Sequence, residues 1–233
     1  MLDRIWKHKI LSALLFLLLF LIVEIISLPL WSIRNLKKQN PQLSALMEQR
    51  IEEATNDGRK YVIRREWVPL SRISDDLIHA VIVEEDGTFF EHEGIDWYEV
   101  QESIKKDLAK GKFARGASTI TQQLAKNLYL STSKDPLRKV KEIIIAKRLE
   151  AVLSKDRILE IYLNVIEWGN GIFGIEAAAM TYFGKHASDL TREESARLAS
   201  VIPSPLTHQP HTNSRYVQFR TRVVLARLDA RGW

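Results

Sequence analysis

The sequence contains no cysteine among its 233 residues. Disulfide bonds and thiol nucleophiles are therefore excluded, and the chain suits an oxidising compartment without requiring one. It also has no internal repeat and no low-complexity tract, so repeat architectures are not indicated. The 29 acidic residues are outnumbered by 34 lysines and arginines, and the net charge of +5 favours an anionic partner. Charge alone does not choose between nucleic acid, acidic lipid and a pyrophosphate.

Long apolar runs are rare, and the exception covers residues 10–30. This run is long enough to cross the ~30 Å hydrocarbon core of a bilayer as a helix. A cleaved signal peptide is the competing interpretation, but the run is too long and no small-residue cleavage site follows. We therefore predict an uncleaved transmembrane anchor, whose orientation stays open because basic residues flank both ends. Glu24 within the run could contact a partner helix or reach toward the membrane interface.

After the anchor the pattern is mainly helical, with about eight amphipathic helices and little strand. Residues 60–68 are the best strand candidate, expected as a minor extended piece, and residues 110–116 are expected to form a mobile loop. Helical spacing predicts that Leu43, Ile51 and Val140 are among the side chains that face the core. The predicted helices cover residues 41–55, 74–85, 96–111, 120–130, 135–153, 156–164, 176–182, 191–203 and 213–231.

Side chains suited to proton transfer and to anion binding are concentrated in residues 84–130. Between residues 84 and 94, four glutamates, an aspartate and a histidine crowd around two phenylalanines. A glycine turn then leads to a helix that begins after Thr119, and Gln122 three residues later completes a capping-box pattern. Polar and cationic groups at a helix N-terminus suit a bound anion. Carboxylates for proton transfer beside such a site suggest group transfer with a phosphate leaving group.

Five short motifs run in order through the chain. They are Glu85-Asp86-x-x-Phe89-x-x-His92-x-Gly94, Gly116-x-Ser118-Thr119-Ile120-Thr121-Gln122-Gln123, Arg138-Lys139-x-x-Glu142, Lys155-x-x-Ile158-Leu159-Glu160-x-Tyr162-Leu163-Asn164 with Gly171 and Gly174, and Ala199-Ser200-Val201-Ile202-Pro203-Ser204-Pro205. Together they resemble the motifs of the peptidoglycan glycosyltransferases, over about residues 61–231. No transpeptidase domain follows, so the chain is expected to be the monofunctional form.

The resemblance implies a mainly α, lysozyme-like fold of two lobes around a cleft. The glycosyltransferase domain is expected at residues 60–233, after a juxtamembrane helix and linker at 31–59 and the transmembrane anchor at 10–30. Residues 1–9 are expected in the cytoplasm, with the catalytic domain on the outer, periplasmic side of a bacterial inner membrane.

The resemblance makes Glu85 the general base and Glu142 the second catalytic carboxylate. From spacing alone, the better interpretation of Glu85 is a solvated acidic helix end, and that of Glu142 a surface pair with Arg138. Neighbouring carboxylates on Glu84, Asp86 and Glu91 could raise the pKa of Glu85 toward a useful value. The residues expected to bind substrate are Asp86, Ser118, Thr119, Gln122, Gln123, Lys126, Arg138 and Lys139, and those expected to support the site are Phe89, His92, Gly94, Gly116 and Asn164.

The implied reaction joins lipid II to a growing lipid-linked glycan chain through a β-1,4 bond, with inversion and release of undecaprenyl pyrophosphate. Lys126, Arg138 and Lys139 could stabilise the charge on this leaving group. A divalent cation, Mg²⁺ or Mn²⁺, could assist them, although no metal-ligand cluster is evident. The expected partners are the membrane, the lipid substrates and other cell-wall synthesis proteins, without nucleic acid.

The sequence also contains patterns that other functions share. Gly169 to Gly174 spells G-x-G-x-x-G without a surrounding βαβ unit, and two S-x-x-K sequences lack the partner motifs of penicillin-type acylation. His208-x-x-His211 lacks a third metal ligand. A lysozyme-like glycan hydrolase is the alternative enzyme, since two carboxylates also serve glycoside hydrolysis. A membrane-tethered scaffold that binds anionic lipid is the alternative without catalysis.

Overall fold

A computed structural model of the chain describes residues 8, 9, 11, 12, 15, 16, 19, 22–24, 26, 28–110, 118–130 and 136–233, without the side chains of residues 107–110 and 136. The predicted loop after residue 110, including Gly116, lies outside the described residues, as do Asp135 and much of the predicted anchor. Within the part of the chain that is described, no helix is both long and apolar enough to cross a membrane.

From residue 45 onward, the described residues form nine α-helices and one two-stranded hairpin. This confirms the prediction of a mainly helical chain. Short 3₁₀ helices occur at Ser32–Lys37, Leu70–Arg72 and Ala187–Asp189. The α-helices are α1 (Ala45–Asn56), α2 (Asp75–Glu85), α3 (Trp97–Lys110), α4 (Ile120–Tyr129), α5 (Pro136–Val152), α6 (Lys155–Val165), α7 (Ile175–Phe183), α8 (Arg192–Val201) and α9 (Arg215–Ala230), and the strands are β1 (Glu167–Gly169) and β2 (Ile172–Phe173).

Helix starts follow local capping chemistry. Thr119 and Thr191 form capping boxes at the starts of α4 and α8. In each, the threonine hydroxyl accepts a hydrogen bond from the backbone N–H of the third helical residue. The side chain of that third residue accepts a hydrogen bond from the backbone N–H of the threonine. Ser74 lies at the N-cap of α2 as predicted, but its hydroxyl donates to the Leu190 carbonyl at 3.1 Å and does not cap the helix. A tertiary contact therefore replaces the expected local one.

Helix α1 begins four residues later than its apolar pattern predicts. Ser44 caps it by accepting from Met47 N at 3.2 Å, and Arg65 takes up the carbonyls of residues 41 and 42 instead. Leu43 and Ile51, predicted to face the core, are 47% and 37% exposed. The apolar pattern alone did not predict that the helix would begin after Ser44.

Two further expectations are corrected by tertiary packing. Val140 on α5 is 52% exposed, because the buried face of this helix runs through Glu142, Ile145 and Leu149 instead. Residues 60–68 are extended, as predicted, but form a single isolated bridge from Arg64 to Ile172. The glycine-rich sequence did not predict the hairpin β1–β2, whose strands pair antiparallel. Gly171 has φ +72° and lies close to the Val62 carbonyl.

The helices fall into two packed groups that meet at the site. Helix α2 packs against α8 and α9, while α4 packs against α5 and α6. The C-terminal end of α2 therefore faces the N-terminal half of α4 across the boundary between the groups. The central core includes the fully buried side chains of Phe89, Leu124, Leu149, Tyr162 and Trp168.

The segment before residue 41 belongs to this core. Leu28, Ile33 and Leu36 are buried in the same apolar cluster as α2 and α6. Arg157 fixes the segment from outside, donating to the carbonyls of Leu36 at 2.8 Å and of Gln39 at 3.1 Å. Residues 28–36 therefore pack against the same core as the helices.

Replacing Ile33 by alanine should lower the free energy of unfolding by about 2–4 kcal/mol, because a fully buried side chain would leave a cavity. Trp31→Ala is the matched control, since Trp31 is 79% exposed and the change should stay within about 0.5 kcal/mol. Chemical denaturation of both variants in detergent measures the difference. Equal midpoints for Ile33→Ala and the wild type would show that this segment is not part of the cooperative core.

Candidate functional site

The candidate base, Glu85, is the last residue of α2. Its Oε2 accepts a hydrogen bond from Nε2 of Gln123 at 2.6 Å. Oε1 of Gln123 in turn accepts from the hydroxyl of the fully buried Tyr162 at 3.0 Å. Three helices, α2, α4 and α6, thus contribute one side chain each to a hydrogen-bond chain that fixes the orientation of the carboxylate.

Burial raises the pKa of Glu85 above the ordinary glutamate value. The hydrogen bond from Gln123 and the charge of Lys126 oppose this increase, and the charge of Asp86 adds to it. Of the three neighbouring carboxylates predicted to raise this pKa together with burial, Asp86 contributes. Glu91 is exposed, and the Glu84 carboxylate is bonded to two arginines of α9, Arg220 and Arg227.

Asp86 directs its carboxylate into the protein. Its Oδ1 lies 2.9 Å from Nε2 of His92, and its Oδ2 accepts from the backbone N–H of Ile120 at 2.9 Å. Nδ1 of His92 accepts a hydrogen bond from the N–H of Gly94 at 3.1 Å, so the imidazole proton is on Nε2. Nε2 therefore donates the hydrogen bond to Asp86. The carboxylate expected to bind substrate is therefore already occupied at both oxygens.

The same bond to Ile120 changes the interpretation of the α4 N-terminus. The sequence suggested an open anion site there, but the protein's own Asp86 carboxylate lies at the first turn. Thr119 and Gln122 are also occupied, by their reciprocal capping box and by a 2.7 Å bond from the Thr119 hydroxyl to the Gly94 carbonyl. These groups hold α4 in position beside the first motif.

Three further residues expected to support the site do so by packing and backbone contacts. Phe89 is fully buried, with Nζ of Lys155 4.5 Å from its ring centroid. Gly94 has φ +83°, and a Cβ there would lie 2.9 Å from Glu150 Cγ. The Asn164 side chain accepts from Val68 N at 2.9 Å and donates to the Val68 carbonyl at 2.8 Å, which joins α6 to the extended segment.

The basic residues of the site form a group around Glu142. This buried carboxylate accepts from Arg138 at 3.2 Å and from Lys139, whose ammonium also donates to the Ser118 hydroxyl at 3.1 Å. The predicted pair of Arg138 and Glu142, four residues apart on α5, is confirmed. Glu142 thus places two cations, although both remain partly exposed toward the cleft.

Lys126 on α4 differs from the other cations. Among the described residues its ammonium has no hydrogen-bond or ion-pair partner, although it lies in the field of Glu142 and Glu85. Burial lowers its pKa, the nearby charges of Arg138 and Lys139 lower it further, and the two carboxylates oppose this. A half-buried cation without a partner is available to an anionic ligand.

Glu85 and the three cations line one cleft of about 1070 Å³. Its polar end also carries Ser118, Gln122 and Gln123, and its apolar wall is formed chiefly by Trp97, Val100, Ile104 and Ile143. A smaller pocket of about 270 Å³ is lined by Glu85, by other residues of the first motif and by Arg227 and Arg231. Glu85 therefore borders two cavities.

Sequence reasoning missed four side chains of this site: Tyr162, Tyr216, Arg220 and Arg227. Tyr162 lies within the fourth motif but was given no role there. Tyr216 and Arg220 both line the cleft, and their spacing of four residues on one predicted helix was the available signal. No cluster of three or more metal-ligating side chains occurs within the described part of the chain.

Comparison with known proteins identifies the family of the chain. A family model described as Transglycosylase matches residues 51–229. A protein from Nitrosospira multiformis is 48% identical over 189 residues, or 81% of this chain and 82% of its own length. A Thiobacillus denitrificans protein is 44% identical over 220 residues, 94% and 92% of the two chains. Both are named biosynthetic peptidoglycan transglycosylase. The chain therefore belongs to the family of biosynthetic peptidoglycan transglycosylases.

Proposed function

We propose that the protein polymerises lipid II, a disaccharide-pentapeptide on undecaprenyl pyrophosphate, into β-1,4-linked glycan strands. The growing lipid-linked chain is the donor and lipid II is the acceptor. The acceptor oxygen forms a bond to the donor's anomeric carbon with inversion, the bond from that carbon to the pyrophosphate breaks, and undecaprenyl pyrophosphate leaves. Family membership supports glycosyl transfer in peptidoglycan synthesis.

One observation carries the proposal: a carboxylate of raised pKa and three cationic side chains face the same cleft. An acceptor hydroxyl must lose its proton as it attacks, and a carboxylate whose pKa lies closer to neutrality is a better base for this step. Oε2 of Glu85 is held by Gln123, and among the described residues Oε1 has no partner. Oε1 is therefore the atom that takes the proton.

The leaving group needs charge stabilisation more than it needs a proton. Lys126, Arg138 and Lys139 supply three positive charges at the polar end of the cleft, with the latter two positioned by Glu142. In this proposal Glu142 is a positioning residue, because both of its oxygens are bonded to cations. Ser118 and Gln122 complete the polar surface that the sugar and phosphate groups would meet.

A divalent cation fits this arrangement less well than the sequence suggested. The Glu142 carboxylate beside the three cations has no free oxygen, and a metal ion would be repelled by its neighbours. The proposed reaction therefore contains no step at a metal ion.

The apolar wall of the cleft suits the hydrocarbon part of the substrates. Trp97 and Ile104 on α3 are 59% and 54% exposed, although both line the cleft. We infer that they contact the lipid chain.

The same proposal includes a single-pass anchor over residues 10–30 in the inner membrane and a domain that faces outward. It also includes a lysozyme-like fold of two lobes and contacts with other cell-wall proteins.

Incubation of the purified full-length chain with lipid II in detergent tests this function. The expected result is consumption of lipid II, release of undecaprenyl pyrophosphate and formation of a polymer that muramidase digests. Cleavage of preformed glycan strands without polymer formation would favour a hydrolase instead. Unchanged lipid II under conditions where the protein is folded would overturn the proposal.

A further inference from the structure

Glu84, the neighbour of the candidate base, is the counter-ion of two arginines on α9. Its side chain has no exposed surface. It accepts hydrogen bonds from Arg220 and, at 2.9 Å, from Arg227. Arg227 also donates to the Val83 carbonyl at 3.3 Å, so that α9 is bonded to the last turn of α2. The charge of Glu84 is therefore balanced by two guanidinium groups.

Each of the two arginines lines a cavity that Glu85 also lines. Arg220 lines the large cleft together with Glu85, and Arg227 lines the smaller pocket together with Glu85. Both cations are therefore close to a second carboxylate that could bind them. The Nε of Arg220 is buried and has no hydrogen-bond partner among the described residues, so this guanidinium is not satisfied elsewhere.

We propose that Glu84 is a positioning residue for the transfer reaction, because it holds Arg220 and Arg227 away from Glu85 and leaves Oε1 of the base free for the acceptor. This inference rests on the function proposed above. If Glu84 lost its charge, the nearest carboxylate for both guanidinium groups would be Glu85. An arginine bonded to Glu85 would occupy the oxygen that must take the proton, and it would also weaken the base.

Electrostatics around Glu85 support this inference. Arg227 already lowers the pKa of Glu85 to a small extent, and that effect would grow without the compensating charge of Glu84. Burial lowers the pKa of Arg220, and repulsion from Arg227 lowers it further, so a nearby free anion would attract this guanidinium. The titratable groups that share the large cleft or a charge interaction with Glu85 are Asp86 after α2, Lys126 on α4, Arg138, Lys139 and Glu142 on α5, Tyr162 on α6 and Tyr216 on α9. Those that share the smaller pocket with it are Asp96, Glu99 on α3 and Arg231 after α9.

The test compares pH–rate profiles on lipid II for the wild type, Glu84→Gln and the triple variant Glu84→Gln/Arg220→Gln/Arg227→Gln. Glu84→Gln should lose roughly tenfold or more in kcat, and the acidic limb of its profile should move to lower pH, because the base is bound by a guanidinium. The triple variant lacks the released cations, so it should recover most of the lost rate and return the limb toward its wild-type position.

A purely structural role for Glu84 gives a different result. If Glu84 only joined α2 to α9, the triple variant would be at least as impaired as Glu84→Gln, and the acidic limb would not move in either. That outcome would overturn the proposal. If Glu84→Gln does not fold, Glu84→Gln/Arg220→Gln and Glu84→Gln/Arg227→Gln replace it: each leaves one released guanidinium, so the acidic limb of each should lie at lower pH than that of the triple variant. Limbs that coincide with the limb of the triple variant would overturn the proposal. Failure of the proposed function itself is distinguishable, since the wild type would then form no polymer.

Discussion

Glu85→Gln should abolish polymerisation, with a loss of about 10²–10⁴-fold or more in kcat. The amide keeps the shape of the side chain and still offers an oxygen to Gln123, but it cannot take a proton from the acceptor hydroxyl. Lipid II should still bind, because the cations that hold the pyrophosphate are untouched. The measurement is the initial rate of polymer formation, with binding of lipid II followed separately.

The control for this prediction is Glu91→Gln, since Glu91 lies in the same motif but is exposed. Its rate should stay within a few-fold of wild type, and an active Glu85→Gln enzyme would refute the assignment of the base. The wild-type rate should fall as the pH drops through the raised pKa of Glu85.

Stability provides an independent check on Glu85→Gln. Burial raises the folded-state pKa of this carboxyl group, so its ionised form lowers the free energy of unfolding at pH values above that pKa. Glu85→Gln should therefore be at least as stable as wild type at pH 7. The difference should disappear as the pH falls below the ordinary carboxylate pKa, where both proteins are neutral at this position. A variant that is inactive because it has unfolded would fail this check.

Lys126→Ala should lose about 10²-fold or more in rate, because it removes a fixed cation where negative charge develops on the leaving pyrophosphate. Lys126 is half-buried at the polar end of the cleft, and its ammonium has no partner within the described residues. Lys147→Ala is the matched control. Lys147 is 44% exposed on α5, and its ammonium lies 3.9 Å from the carboxylate of Glu93. That change should alter the rate by less than about fivefold, as expected for a weak surface charge.

Initial rates for both lysine variants at low and high salt separate a fixed site from a diffuse basic surface. A fixed site predicts that the defect of Lys126→Ala persists at high salt, because buried charges are screened less than exposed ones. Equal losses for Lys126→Ala and Lys147→Ala that vanish with salt would contradict the pyrophosphate assignment.

The parts of the site that the sequence predicts depend on short-range chemistry. Thr119 and Gln122 lie within one helical turn, so their capping box can be recognised from spacing, and it places Gln123 and Lys126 on α4. The pair of Arg138 and Glu142 is similarly local. Motif resemblance then selects Glu85 over Glu84 as the base, a choice that burial patterns alone would not make.

The parts that the sequence does not predict depend on contacts between distant segments. Glu84 meets Arg220 and Arg227 more than a hundred residues later, and no local periodicity indicates that pairing. Asp86 has the right type of side chain for a ligand contact, yet the packing of α4 directs both of its oxygens inward. A carboxylate in a sequence can bind substrate or another residue, and only its tertiary environment decides between them.

The hydrogen bonds from Tyr162 to Glu85 run in one direction. The tyrosine hydroxyl donates, so the carbonyl end of the Gln123 amide faces it and the NH₂ end faces Glu85. Because an amide NH₂ group cannot accept, Oε2 of Glu85 cannot carry a proton toward it and keep this bond. In the proposed mechanism, the proton removed from each acceptor would therefore settle on Oε1 and depart from there before the next sugar arrives. One oxygen of the carboxylate stays fixed, while the other would exchange a proton with substrate and solvent in every round of elongation.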